Sequence, residues 1–243
     1  MRKPPTPTGF RELRDRLENE FADLLKVDLA ANDASAVHIV LTSETDLLTC
    51  GQFSGLHSPR IHRWLRSYIP RWTGNAPAFL IDDTTIGVDC GGRWSEMETR
   101  FVGICTHELA HVCCVKGLYA RDDDHTEKLH DVLRQEFVSS LEHKATFDTA
   151  WSSPRIGHGP DFLRIVCHLV FRLQQRGREC RLPQVVDSNF YSLSTTAKYR
   201  NALGDECERL AAWPLTSVAT IPPPQKFLDQ WNADLVEWPD GEF

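Results

Sequence analysis

His107, Glu108 and His111 stand within the stretch SEMETRFVGICTHELAHVCCVKG, residues 95–117 of a 243-residue chain. On a helix, residues four apart share a face, so the two imidazoles can address one ion. Glu108 sits about 100° round the helix from His107, within reach of a water held by that ion. Two helix-borne histidines with a carboxylate between them suit a zinc site in which the carboxylate takes a proton from the attacking water. Imidazoles buried without partners are costly, and a metal is one way of satisfying them.

The residues around the motif predict the helix this chemistry needs. Ser95 and Glu98, three apart, read as a capping box. Phe101, Ile104, Cys105, Leu109, Val112 and Cys113 recur near helical spacing, and Gly117 is a natural C-terminal stop. Catalytic zinc usually takes three protein ligands and leaves a fourth position for water. The metzincin pattern places the third histidine six residues after the second, where this chain has Gly117, so that pattern fails. A glutamate from a downstream helix, such as Glu136, or a histidine from a downstream loop remains. His158 lies between two glycines just ahead of Pro160, a residue suited to a helix's first turn; that placement fits a side chain delivered from outside. His125 and His130 are weaker candidates, and His38 and His168 read as structural. Arg155, Tyr119 and Tyr191 are candidates for stabilising an oxyanion.

Further elements follow from periodicity and punctuation. A helix is predicted from Phe10 to Lys26, with Leu13, Leu17, Phe21, Leu24 and Leu25 inward. Ala36–Leu41 reads as a strand, residues 43–57 as loop, and Arg60–Tyr68 as a short helix with a basic, solvated face. Two strands, Ala78–Ile81 and Thr85–Val88, precede the motif helix; an open sheet edge there could hold an extended peptide. Residues 124–142 fit a helix, with the acidic run Asp122–Asp124 near its favourable N-terminus. A helix opens at Pro160 and runs to about Arg176, closed by Gly177. Residues 180–194 read as loop with a short strand near Pro183–Val186. Helices are predicted over Ser194–Trp213 and Gln225–Leu235, separated by Pro222-Pro223-Pro224.

The net charge of −7 gives no support to a large basic footprint for nucleic acid. Eight cysteines include the adjacent Cys113 and Cys114 and no C-x-x-C pair, which suits buried free thiols better than a disulfide framework or a zinc ribbon. The N-terminus lacks the apolar core of a secretory signal, and no apolar run approaches membrane-spanning length. Free thiols in a reducing cytoplasm are the simplest account.

The segment His107-Glu108-Leu109-Ala110-His111, followed by His158-Gly159-Pro160-Asp161-Phe162, resembles the SprT-like zinc metallopeptidases. That family pairs H-E-L-x-H with a later H-G-x-x-F, and the similarity covers roughly residues 80–175. The resemblance implies zinc held by His107, His111 and His158, Glu108 as general base, and Phe162 packing its helix on the core. Residues 112–157, forty-six in all, separate the last two ligands. The implied fold is α+β, a zincin-like minimal core of small sheet and active-site helix, with a mostly helical C-terminal half. Residues 1–8 would be a disordered tail, 9–180 the metallopeptidase domain, and 181–243 a helical elaboration packed on it. The implied function is endopeptidase action on a protein or peptide substrate, with no membrane partner. Nucleic acid enters through the family alone. The alternative is a non-catalytic zinc-binding interaction module with a degenerate zincin fold.

Overall fold

The computed structural model describes residues 8–31, 33–44, 53–55, 66, 70, 76–114, 160–185 and 193–237, without the side chains of 53–55, 79, 80, 111, 114, 193–196 and 235–237. Outside these residues lie the helix expected at 124–142, the stop at Gly117, and all but Arg66 of the helix expected at 60–68. His125, His130, Glu136, His158, Tyr119, Arg155 and Tyr191 lie outside them as well.

The chain is rich in helix. α1 (Thr8–Leu24) buries Phe10, Leu13, Leu17, Phe21 and Leu24 on the stripe its periodicity predicts. Its first residue, Thr8, falls within the stretch expected to be a disordered tail. The chain turns at Leu25 into the short α2 (Lys26–Ala30) rather than ending at Lys26. β1 (His38–Leu41) follows, fully buried. It pairs in parallel with β3 (Ala78–Ile81), which pairs on its other side, antiparallel, with β2 (Phe53–Gly55). β2 falls inside the stretch expected to be loop. Its three residues, FSG, are too few and too polar for their alternation to register, and pairing with β3 makes them a strand.

The second strand expected before the motif, Thr85–Val88, is instead α3 (Asp83–Asp89). Its β-branched residues favour a strand, but Asp82 overrides them. One carboxylate oxygen of Asp82 accepts from the Thr85 backbone N–H at 3.0 Å and the other from the Thr85 hydroxyl at 2.8 Å, a side-chain N-cap. The next residue, Asp83, is buried and accepts from the Ser43 backbone N–H (3.0 Å) and hydroxyl (2.6 Å), tying the end of β1 to the start of α3.

α4 (Trp94–Cys114) carries the motif. Its first residue, Trp94, precedes the expected cap, Ser95, and the expected capping box does not form. The Arg93 carbonyl accepts from the Glu96 and Met97 N–H groups, and Glu98 faces Arg16 at 3.5 Å. Trp94 is drawn into the helix by packing on Phe10, with ring centroids 5.4 Å apart. α4 is central: α1, α3, the sheet and three later helices all lie against it. The predicted stripe is buried apart from Ile104, which is partly covered.

α5 (Pro160–Gln175) begins at the expected proline, and the turn after it is closed by Gly177, whose φ of +78° suits a residue without a Cβ. The strand expected near Pro183–Val186 is the short helix α6 (Leu182–Val185). Gln184 reaches back to accept from the Arg181 N–H at 2.9 Å, and Pro183 in the first turn forfeits no helical hydrogen bond. The long helix expected over 194–213 is split at Gly204 (φ +60°) into α7 (Leu193–Leu203) and α8 (Glu206–Arg209). α9 (Leu215–Thr220) and α10 (Gln225–Glu237) complete the described chain.

One continuous set of buried apolar side chains runs from Phe10 to Phe227. Polar ties cross it at several points among the described residues. Asp28 on α2 accepts from the Leu215 and Thr216 N–H groups at the start of α9, at 3.1 and 2.9 Å. Tyr199 donates to Asp234 at 2.6 Å. On α5, Arg164 and His168 both donate to one oxygen of Glu206, at 2.8 and 2.9 Å, and Arg164 also donates to the Val218 and Ile221 carbonyls. No described helix is long and apolar enough to cross a membrane.

Candidate metal centre

α4 presents His107 and Glu108 in different surroundings. His107 is half-buried, and its ring lies between two later segments. The ring edge packs on Phe162 of α5, with centroids 4.9 Å apart and planes at 63°. Its Nδ1 lies 2.9 Å from the Val185 carbonyl at the end of α6. A carbonyl only accepts, so Nδ1 must carry the proton, and in the neutral ring the lone pair then sits on Nε2.

Gly103 makes that contact possible. It lies one helical turn before His107, and a Cβ built there would stand 2.2 Å from the Gln184 carbonyl oxygen. The backbone of α6 therefore rests directly on α4. Around it, the Cys180 carbonyl accepts from the Gln174 side chain at 2.7 Å, and Leu182 and Val185 are buried. Neither Gly103 nor Val185 was singled out from sequence. The one clue was a glycine in the interior of a predicted helix, where close approach of another backbone offsets its poor helix propensity.

Glu108 is 5 % exposed. Burial alone pushes its carboxyl up to about 8, so the proton is held near neutral pH. Cys90, Cys105, Cys113, Cys167, Cys180 and Cys207 are all buried and free of disulfides. Burial pushes Cys105 and Cys167 well up, and Cys180 and Cys207 to about 11, so these four remain protonated.

His111 lies on α4 one turn beyond His107, but its side chain, like the whole of His158, is outside the described residues. The structure thus packs His107 against Phe162 and carries Glu108, buried, on the same helix. Among the described residues no three His, Cys, Asp or Glu side chains gather as a metal site. The donor chemistry of His107 nevertheless fits zinc. A histidine ligand characteristically gives its second ring N–H to a carbonyl or carboxylate, which orients the ring and raises the basicity of the ligating nitrogen. His168 does not share this role; it is fully buried on α5 and bound to Glu206. Compared with protein-family models, curated proteins and solved structures, the chain matches none of them.

Proposed function

We propose that the chain is a zinc-dependent metalloendopeptidase of zincin-like α+β fold, with His107, His111 and His158 as ligands and Glu108 as general base. The observation that carries the reading is the Val185 carbonyl on His107 Nδ1, which leaves the lone pair of the neutral ring on Nε2, with the carboxyl of Glu108 buried on the same H-E-x-x-H helix. Further support comes from α4 lying against β2 and β3, with β2 at an edge of the sheet among the described strands, as an extended substrate would need.

When bound, zinc supplies a Lewis acid that polarises the scissile carbonyl and makes water nucleophilic near neutral pH. Glu108 does the proton work: a carboxylate oxygen takes a proton from the attacking water and passes it to the leaving amine. Its desolvated setting keeps that oxygen basic, and a dication beside it offsets part of the upward push. Val185 holds the His107 ring, and Phe162 packs against it.

The substrate is a protein or peptide and the setting the cytoplasm, consistent with the buried free thiols. The acidic net charge gives a nucleic-acid partner no support. The test is zinc stoichiometry together with cleavage of an unfolded protein by the wild type and Glu108→Gln. One zinc per chain in both, with cleavage lost only in the variant, is expected. Cleavage retained by the variant would remove Glu108 as base. Zinc held by a wild type that cleaves nothing would move the assignment to the non-catalytic binding module.

A further inference from the structure

We infer that Gly103 and the Leu182–Val185 turn form a positioning device for His107, setting the tautomer and direction of the ring before zinc arrives. The inference rests on the zinc site proposed above and extends it to residues outside the H-E-x-x-H and H-G-x-x-F segments.

Four observations combine. Gly103 and His107 are four apart and share a face of α4. At Gly103 a Cβ would stand 2.2 Å from the Gln184 oxygen, so α6 sits as close to α4 as backbone allows. The next carbonyl along, that of Val185, then reaches His107 Nδ1 at 2.9 Å. The turn itself is fastened independently of the histidine: Gln174 of α5 donates to the Cys180 carbonyl, Gln184 closes on Arg181, and Leu182 and Val185 are buried. A methyl group at position 103 meets rigid backbone rather than a movable side chain. It must lift α6, and the Val185 carbonyl lifts with it. The His107 ring then loses the acceptor that holds the proton on Nδ1 and reverts to the Nε2–H tautomer that free imidazole side chains prefer, which occupies the ligating nitrogen.

The test uses the full chain. In the metal-free wild type above the pH at which the imidazole titrates, nitrogen NMR of the ring should find His107 protonated on Nδ1 and bare on Nε2; His107→Asn identifies the resonance by its loss. Zinc titration against a competing chelator should show Gly103→Ala binding about 10- to 100-fold more weakly than wild type. The variant's His107 should carry its proton on Nε2. Gly87→Ala is the control: on α3, nothing lies within 4 Å of a Cβ at that position, and its zinc affinity should match wild type. If Gly103→Ala does not fold, the tautomer in the wild-type chain decides alone. A wild type that binds zinc while showing the Nε2–H tautomer, or a folded Gly103→Ala with undiminished affinity, overturns this inference and leaves the metal site standing. A wild type that binds no zinc overturns both.

Discussion

Replacing Glu206 with Gln removes one charge and little volume from the most polar part of the core. Glu206 is buried and accepts from both Arg164 and His168, themselves buried on α5. Burial pushes its carboxyl up, but the hydrogen bonds from His168 and Arg164 and the charge of Arg164 outweigh burial and hold it below the ordinary value. After substitution the Arg164 guanidinium keeps only neutral acceptors, the amide oxygen at 206 and the carbonyls of Val218 and Ile221. Removing one partner of a buried ion pair typically costs about 3–5 kcal/mol, because the other charge stays buried and uncompensated. The amide retains part of the hydrogen bonding, so the lower end, about 3 kcal/mol, applies here. For a chain of this size each kcal/mol shifts the melting temperature by roughly 2–4 °C, so Glu206→Gln should melt about 10 °C lower at pH 7.5. Circular dichroism melting of the metal-free protein reads this directly. Arg164→Met combined with Glu206→Gln should cost less than the sum of the two single changes, since the stranded charge is gone. A melting point within about 2 °C of wild type for Glu206→Gln, or strict additivity in the double variant, would refute the account of α5 as clamped by a paired buried charge.

Three further outcomes follow from other parts of the molecule. His168 is held below its ordinary value, first by burial and then by the nearby Arg172 and Arg164 charges, against the opposing pull of Glu206. The unfolded chain therefore binds a proton that the folded one refuses, so stability is full above the unfolded value of 6.5 and is lost as pH falls through it. Urea unfolding between pH 7.5 and 5.5 should show this acid-side loss in the wild type and a shallower one in His168→Gln. Asp82→Ala removes the cap of α3 and should cost about 1 kcal/mol in the same assay, with Asp82→Asn costing less. His158→Ala should weaken zinc binding far more than His125→Ala, and the reverse ranking would reassign the third ligand.

The two helices flanking the site were legible because their cues are local and redundant. α5 has a proline at its first position, a glycine at its exit and an apolar stripe between. α4 was recognisable from its stripe even though Ser95 is not its cap and Trp94 belongs to it. Legibility failed where a single side chain reverses the local preference. Thr85–Val88 has strand-like composition, and only Asp82 makes it helical. Leu182–Val185 looks extended, and Gln184 closes it. At the proposed site, residue type alone singles out His107 and Glu108. The acceptor for His107, 78 residues downstream, is a backbone carbonyl, which every residue possesses and no spacing rule can single out.

That last contact changes how the stretch beyond Cys180 relates to the proposed chemistry. If only the motif helix and its histidines mattered, the later helices could be decoration. Instead, α6 supplies the carbonyl that meets Nδ1 of His107, the first of the proposed ligands, and α5 fastens the approach to α6 through Gln174 while it is itself clamped by Glu206 from α8. Under the proposed zinc site, metal affinity and the stability of the C-terminal packing become one linked quantity. Zinc at a hundred times its dissociation constant adds about 2.7 kcal/mol to whatever folded state presents the site. By the same linkage, a change such as Glu206→Gln, remote from any ligand, should weaken zinc binding to the extent that it frees α5 and lets the Val185 carbonyl drift from Nδ1. A chain in which Glu206→Gln lowers the melting temperature yet leaves zinc affinity untouched would show that the ring is held by α4 alone.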